Sequence, residues 1–246
     1  MLPNLRIHSF ESMGTFDGPG LRLVVFLQGC NFRCLYCANP DTISHLNRDT
    51  KITPGDEVLR RALSEKVFFG RRGGVTFSGG EPTLQSKALI PLVQMLKAEG
   101  IHTCLDTNGS ILGEHAKQLY ELIDLVILDC KQPNAERHIQ LVGRENTQTL
   151  KTVQYLADIN KPVRLRYVVV PGYSDFEEDI RLLGRRYGHF ENVERLEVLP
   201  YHTYGVHKYE AMGWDYQLKD IKEPDYDEID RIADIFREYF KCVWVQ

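Results

Sequence analysis

Six short runs of β-branched and other apolar residues recur along the 246-residue chain, at 22–27, 74–77, 102–106, 125–129, 163–170 and 193–199. Segments with helical spacing alternate with them, at 53–69, 85–99, 114–122, 147–159, 175–188 and 225–240. Such alternation predicts parallel strands joined by right-handed helical crossovers. Six units are too few for a full eight-stranded barrel, so the pattern predicts an open, partial (β/α)6 barrel, with a doubly wound sheet as the alternative. Thr53 before Pro54 reads as a helix cap with proline at the first helical position, and Gly100 as the stop of the helix ending KAEG. No repeat, low-complexity tract or linker interrupts the pattern. One domain over 1–246 is therefore expected, its core at about 20–200 with terminal extensions packed on it.

In such folds the chemistry gathers where strands end. The residues after the six runs suit that role: GCNFRCLYCAN, SGGEP, DTNG, DCKQP, PGYSD and PYHTYG, all polar or glycine-bearing. The 30 basic and 34 acidic residues leave a formal charge of only −4, and the basic ones are scattered, which argues against nucleic acid as a partner. No apolar run approaches the roughly 20 residues that a membrane span requires. The amino terminus carries no basic segment followed by an apolar signal core, so a cytoplasmic chain with reduced thiols is expected.

The loop after the first strand holds Cys30, Cys34 and Cys37, half of the six cysteines, in the spacing CxxxCxxC. Structural zinc favours four ligands in paired sets, and no second CxxC or HxxxH follows. Disulfides suit small secreted chains instead. A [4Fe–4S] cluster normally takes four thiolates, so three cysteines would leave one iron open to a substrate. Cys104, Cys130 and Cys242 stand singly and read as buried thiols.

SGGEP alone is a turn, as glycine and proline usually are. Beside the cysteine loop it carries more: CxxxCxxC with the aromatic Tyr36 before the last cysteine, then a strand ending in GGE, resembles the radical S-adenosylmethionine superfamily. IHSFESMGTFDGPGLR, HTCLDTNG, DLVILDCKQP, RYVVVPGYSD and LPYHTYGVHKY narrow the resemblance to its glycyl-radical-enzyme activases of the pyruvate formate-lyase type, from Arg6 to beyond Met212.

That resemblance implies that Cys30, Cys34 and Cys37 ligate three irons, and that the amino and carboxylate groups of S-adenosylmethionine chelate the fourth. It implies that Tyr36 and Ala38 lie against the adenine, and that Gly79, Gly80 and Glu81 receive the methionine ammonium. Asp129, Cys130 and Lys131 fall in a cofactor-contacting stretch, the lysine opposite the cofactor carboxylate; a surface ion pair is the alternative for Asp129 and Lys131. Arg166 and His202 match further cofactor contacts, although a lone loop histidine is commonly structural. An arginine on a largely apolar strand needs a partner such as a carboxylate. Asp106, Thr107 and Asp129 match a site for a monovalent cation, Na+ or K+, against an Asx-type turn as the alternative. Asp17, Gly18, Pro19 and Gly20 read as a tight turn, and by resemblance line the groove for the protein substrate, expected at the open mouth of the barrel. Two departures stand out: Ala38 replaces a bulkier polar residue of some members, and Met13 a cysteine of some relatives.

The implied reaction is reductive cleavage of the cofactor to methionine and a 5′-deoxyadenosyl radical, which takes a glycine Cα hydrogen from pyruvate formate-lyase. The resemblance further suggests reduced flavodoxin or ferredoxin as electron donor and a monomeric enzyme. Two rival readings are an activase of another glycyl-radical enzyme and a non-catalytic iron–sulfur electron carrier. The interval from Cys37 to Gly79 holds no further cysteine, unlike activases with an inserted ferredoxin-like region. A plain carrier would want four cysteine ligands and no GGE.

Overall fold

The run RLVVFL is apolar from residue 23 onward, and every side chain in it except Phe26 is buried, as a strand covered on both faces requires. The computed structural model describes residues 1–47 and 50–245, which fall into two units: Met1–Asn31 with Thr42–Ile127, and Phe32–Asp41 with Leu128–Gln246.

The first unit contains β1 (Asn4–Gly14), β2 (Arg22–Leu27), β3 (Lys51–Pro54), α1 (Gly55–Phe69), β4 (Gly74–Gly79), α2 (Ser86–Ala98), β5 (His102–Thr107), α3 (Glu114–Leu122) and the start of β6 (Leu125–Asp129). Its strand order is β3-β1-β2-β4-β5-β6. The parallel register sets Arg22 opposite Gly74 and Leu27 opposite Gly79, and Gly74 in turn opposite His102. Strands β2, β4 and β5 therefore end level with one another, which brings the cysteine loop, SGGEP and DTNG to one edge.

The second unit takes the end of β6, then α4 (Ala135–Val142), α5 (Thr147–Asp158), β7 (Val163–Val169), α6 (Glu177–Tyr187), β8 (Val193–Pro200), α7 (Val206–Met212), α8 (Tyr226–Arg237) and β9 (Val243–Val245), in the order β6-β7-β8-β9. β7 and β8 are parallel, as are β8 and β9. Side chains of β7 alternate strictly between buried and half-buried, so Arg164, Arg166 and Val168 share one face. In neither unit does the order of the six β/α strands reverse. That continuity is the order of a partial (β/α)6 barrel and excludes the doubly wound alternative, which needs a switch point.

Three strands were not expected. β1 runs antiparallel to both β2 and β3, and β9 adds an outer strand beside β8. The cap reading at Thr53 is corrected: Thr53 and Pro54 end β3, and the helix starts at Gly55 without a side-chain cap bond. Pro54 thus supplies its fixed φ at the strand-to-helix corner and not inside the first turn. Gly100 does stop its helix, in the left-handed conformation with φ 68°.

Candidate active site

In the first unit, the chain leaving β2 is tied to the segment after it: Gly29 N–H donates to the Thr42 carbonyl and Cys30 N–H to that of Ile43, at 2.8 and 3.0 Å. SGGEP then closes on this loop. Gly80 N–H donates to the Leu27 carbonyl at 2.9 Å, and Glu81 N–H to that of Gly29 at 2.7 Å. The two glycines are required by that approach. A Cβ on Gly79, whose φ is 104°, would lie 2.5 Å from the Leu27 nitrogen, and one on Gly80 would lie 2.1 Å from the Gly29 oxygen.

Glu81 is 1% exposed. Its Oε1 accepts from Thr83 N–H, the Thr83 hydroxyl and the Thr107 hydroxyl at 2.9, 2.5 and 2.7 Å, and its Oε2 accepts from Asn108 N–H at 2.8 Å. Burial pushes its pKa up, against these bonds, which favour the charged form. Both oxygens are engaged by the chain itself. The carboxylate thus clamps the end of β4 to the end of β5, and this corrects the reading in which it holds an ammonium group. DTNG is the turn anticipated as the alternative: Gly109 N–H donates to the Thr107 hydroxyl and Ser110 N–H to Asn108 Oδ1, at 3.0 and 2.9 Å. Asp106 accepts from the Ser78 hydroxyl at 2.8 Å.

In the second unit, residues 32–41 dock on α4: Arg33 and Leu35 donate their N–H groups to the carbonyls of Val142 and Leu141, each at 3.0 Å. Phe32 meets His138 of the same helix edge-on, centroids 5.5 Å apart. Cys37 N–H turns back to the Cys34 carbonyl at 3.1 Å. The Lys131 ammonium bonds Asp129 Oδ2 at 2.8 Å and the Tyr36 hydroxyl at 3.3 Å, and lies 5.3 Å from the centre of that ring. With side chains only 12% and 20% exposed, Lys131 and Asp129 do not form a surface pair. Burial works against the Lys131 charge, but Asp129, Tyr36 and Cys34 outweigh it and hold the ammonium well above its ordinary pKa. Burial pushes the Cys34 thiol up to about 12, with Lys131 pulling the other way. Cys34, Tyr36, Asp129 and Lys131 are thus one electrostatic group.

Arg166 finds the carboxylate it required in Glu197, 3.3 Å away on β8 and 2% exposed, which also pairs with Arg164 and Arg195. The Cys130 thiol is buried, and the Cys130 N–H donates to the Arg166 carbonyl at 2.8 Å. His202 stacks on Tyr204 at 4.6 Å, and its buried Nδ1 has no hydrogen-bond partner. Helix α7 presses on the cysteine loop: a Cβ on Gly205 would lie 2.7 Å from Ala38 Cα, and the Tyr209 hydroxyl donates to the Cys37 carbonyl at 3.1 Å. Lys208 bonds Asn39 at 2.8 Å and pairs with Asp41 at 3.2 Å.

A family model described as the Radical SAM superfamily matches residues 24–183, more than half of the chain. The chain belongs to this family. Two relatives, from Staphylococcus epidermidis and Staphylococcus aureus, are each 44% identical over 230 and 232 residues, covering 91% of both chains; both are named pyruvate formate-lyase-activating enzyme. Among solved structures, a domain of pyruvate-formate lyase-activating enzyme from Bacteroides vulgatus matches 71% of this chain and 99% of its own, with TM-score 0.60 and 22% identity. Streptococcus suis SuiB bound to S-adenosylmethionine matches 88% of this chain and 48% of its own, with TM-score 0.68 and 17% identity. At those identities the two structures show the fold.

The radical S-adenosylmethionine family implies a [4Fe–4S] cluster and S-adenosylmethionine. The residues present suit both groups. Cys30, Cys34 and Cys37 are half-buried thiols on one loop, none of them in a disulfide. The buried, unpartnered His202 Nδ1 is a polar atom awaiting a partner. No donor among the described residues bonds the half-buried Gly80 carbonyl, which can accept from an ammonium.

Two expectations are corrected by position. DGPG lies at the amino-terminal end of the strands, not at the end carrying the cysteine loop. It precedes Arg22, which sits opposite Gly74 and His102, and a six-residue strand puts roughly 20 Å between the two ends. There Thr76 donates its hydroxyl to the Asp17 carbonyl at 2.6 Å, while the fully buried Arg22 bonds the carbonyls of Pro19 and Val75. Cys104 and Cys130 are buried as expected, but Cys242 is exposed, next to the short edge strand β9. Residues passed over in the sequence include Asn108, Glu197, Lys208 and Tyr209. The last two stand inside PYHTYGVHKY, whose GVHKYEAMG could have been read as a short helix stopped by Gly213.

Proposed function

We infer that this chain activates pyruvate formate-lyase by generating a glycyl radical in it. The observation that carries the reading is the 44% identity, over nearly the full length of both chains, to enzymes named for that activity. The glycine cradle in the first unit and the α7 clasp in the second, each closing on its own part of the cysteine loop, support it.

In this reading Cys30, Cys34 and Cys37 hold the cluster through their thiolates. Among the described residues no three His, Cys, Asp or Glu side chains converge as a metal site, so support for these ligands comes from the loop, its spacing and the family. Bound together, cluster and cofactor supply a one-electron cleavage that yields methionine and a 5′-deoxyadenosyl radical. The chain's own residues bind and orient. The backbone of Gly79 and Gly80 receives the methionine ammonium, and Lys131, fixed by Asp129, faces the carboxylate. Tyr36, Ala38, Cys130, Arg166 and His202 complete the cofactor contacts. Holding the reacting carbon against its target and away from water is what buried strand ends provide.

The partner contributes a glycine, whose Cα radical is delocalised over its flanking peptide groups. Asp106 and Thr107 in the first unit, and Asp129 in the second, offer oxygens for a monovalent cation. Reduced flavodoxin or ferredoxin supplies the electron to a monomeric, cytoplasmic enzyme. Among the described residues no helix is long and apolar enough to cross a membrane.

The test is anaerobic: reconstituted chain, reductant and S-adenosylmethionine are mixed with pyruvate formate-lyase, and a glycyl radical is sought by electron paramagnetic resonance. A radical on that partner supports the reading. Cofactor cleavage without a radical on it points to another glycyl-radical enzyme, and no cleavage at all points to an electron carrier.

A further inference from the structure

The Glu81 clamp ends on a residue with no assigned role. Asn108 is 5% exposed, its N–H is fixed by Glu81, and its Oδ1 is occupied by Ser110 N–H at 2.9 Å. That last bond settles the orientation of the amide, because an oxygen already accepting from a backbone donor leaves the NH2 group pointing the other way. Asn108 Nδ2 accordingly reaches Asn31 Oδ1 at 3.2 Å and the Cys30 sulfur at 4.0 Å. Asn31 is itself held, since its Nδ2 donates to the Ser110 hydroxyl at 2.7 Å. An amide with two hydrogens, one committed to Asn31 and the other aimed at a sulfur, is oriented by three neighbours before any ligand arrives.

We propose that Asn108 is a positioning residue that donates an N–H···S hydrogen bond to the Cys30 thiolate and raises the reduction potential of the cluster, and that Glu81 holds it in place. The inference rests on Cys30 being a cluster ligand. Adding an electron to an iron–sulfur cluster increases the negative charge shared by its thiolates. A donor on one of them therefore stabilises the reduced state more than the oxidised one. The bond is partly buried, where such a dipole is less screened than in open water. Glu81 then acts on the cluster through the chain, by fixing the turn that carries the amide.

The experiment is a redox titration of the reconstituted full chain without the protein partner, followed by the electron paramagnetic resonance signal of the reduced cluster. Iron and sulfide are measured on each sample. The variants are Asn108→Ala and Asn108→Ser; the serine hydroxyl can still accept from Ser110 but is too short to reach Cys30. Both are expected to load iron as the parent does and to show a midpoint shifted to more negative potential. Glu81→Gln, which sets an amide against the Asn108 N–H, should shift it the same way. An unchanged or more positive midpoint in either loaded Asn108 variant overturns the proposal. So does a failure of both to load iron while their thermal unfolding matches the parent, because the residue would then be needed to build the site and not to tune it. A parent chain that holds no cluster would refute the ligand assignment instead.

Discussion

Replacing Glu197 by alanine should cost about 3 kcal/mol of stability. The carboxylate is 2% exposed and surrounded by three guanidinium groups: Arg195 Nη2 and Nε at 2.6 and 2.8 Å, Arg166 Nε at 3.3 Å and Arg164 Nη1 at 3.8 Å. Removing one partner of a buried ion pair typically costs about 3–5 kcal/mol, because a charge is left behind without its counterion. Two features place this site at the lower end. The arginine side chains are 11–28% exposed, so water reaches part of each, and Arg164 keeps Glu194 at 3.4 Å. A loss of about 3 kcal/mol in a chain of this size lowers the melting temperature by roughly 6–12 °C. Circular dichroism melting together with urea denaturation reads it. Glu197→Gln, which keeps the volume and accepts from one arginine, should lose about half as much. A cost below about 1 kcal/mol for Glu197→Ala, the level of a surface pair, would refute the reasoning. It would mean that the arginines are already served by water.

Each of Cys30→Ala, Cys34→Ala and Cys37→Ala should lose the cluster, seen as missing iron, sulfide and visible absorption after anaerobic reconstitution, whereas Cys104→Ala should retain it; full occupancy in Cys34→Ala would sink the ligand set. Asp129→Ala leaves Lys131 without its anchor, and S-adenosylmethionine affinity should fall roughly ten- to a hundredfold, the worth of one charge-assisted bond. Unchanged affinity with a large drop in melting temperature would make the pair structural. His138 is held below its ordinary pKa by burial, and by Lys131, against the Arg144 carbonyl that accepts from it. A base depressed on folding contributes stability above its unfolded pKa and loses it as pH falls, so the melting temperature should decline below about pH 6.5. His138→Phe should flatten that decline, and equal slopes in the two proteins would exclude His138 as its source.

The strands of the β/α units were legible because burial on both faces demands uninterrupted apolar runs, as in LVILD of β6. β1 was not, because its Leu5 and Ile7 alternation dissolves into SFESMG, where irregular register with β2 replaces a clean period of two. β3 and β9, at four and three residues, are too short to show a period. Helix α4 carried its signals, with Asn134 capping Glu136 and Arg137 and Gly143 in the left-handed conformation after it, but eight residues gave little periodicity to prompt the reading. In the site, the cysteines announce themselves through local spacing. The role of Glu81 does not, since its partners Thr107 and Asn108 lie 26 and 27 residues away and only parallel register brings them to it. Glu197 is hidden for the same reason: nothing in RLEVLP says that a strand about 30 residues upstream offers two arginines to it.

The bond from Tyr209 to the Cys37 carbonyl spans 172 residues. During synthesis at about 5–20 residues per second, Cys37 is made roughly 9–34 s before the tyrosine that clasps its loop. For that interval two of the three thiols lie on a segment lacking its α7 contact, open to oxidation and to stray metals. The Tyr209 clasp is therefore among the last contacts that this loop can acquire as the chain is made.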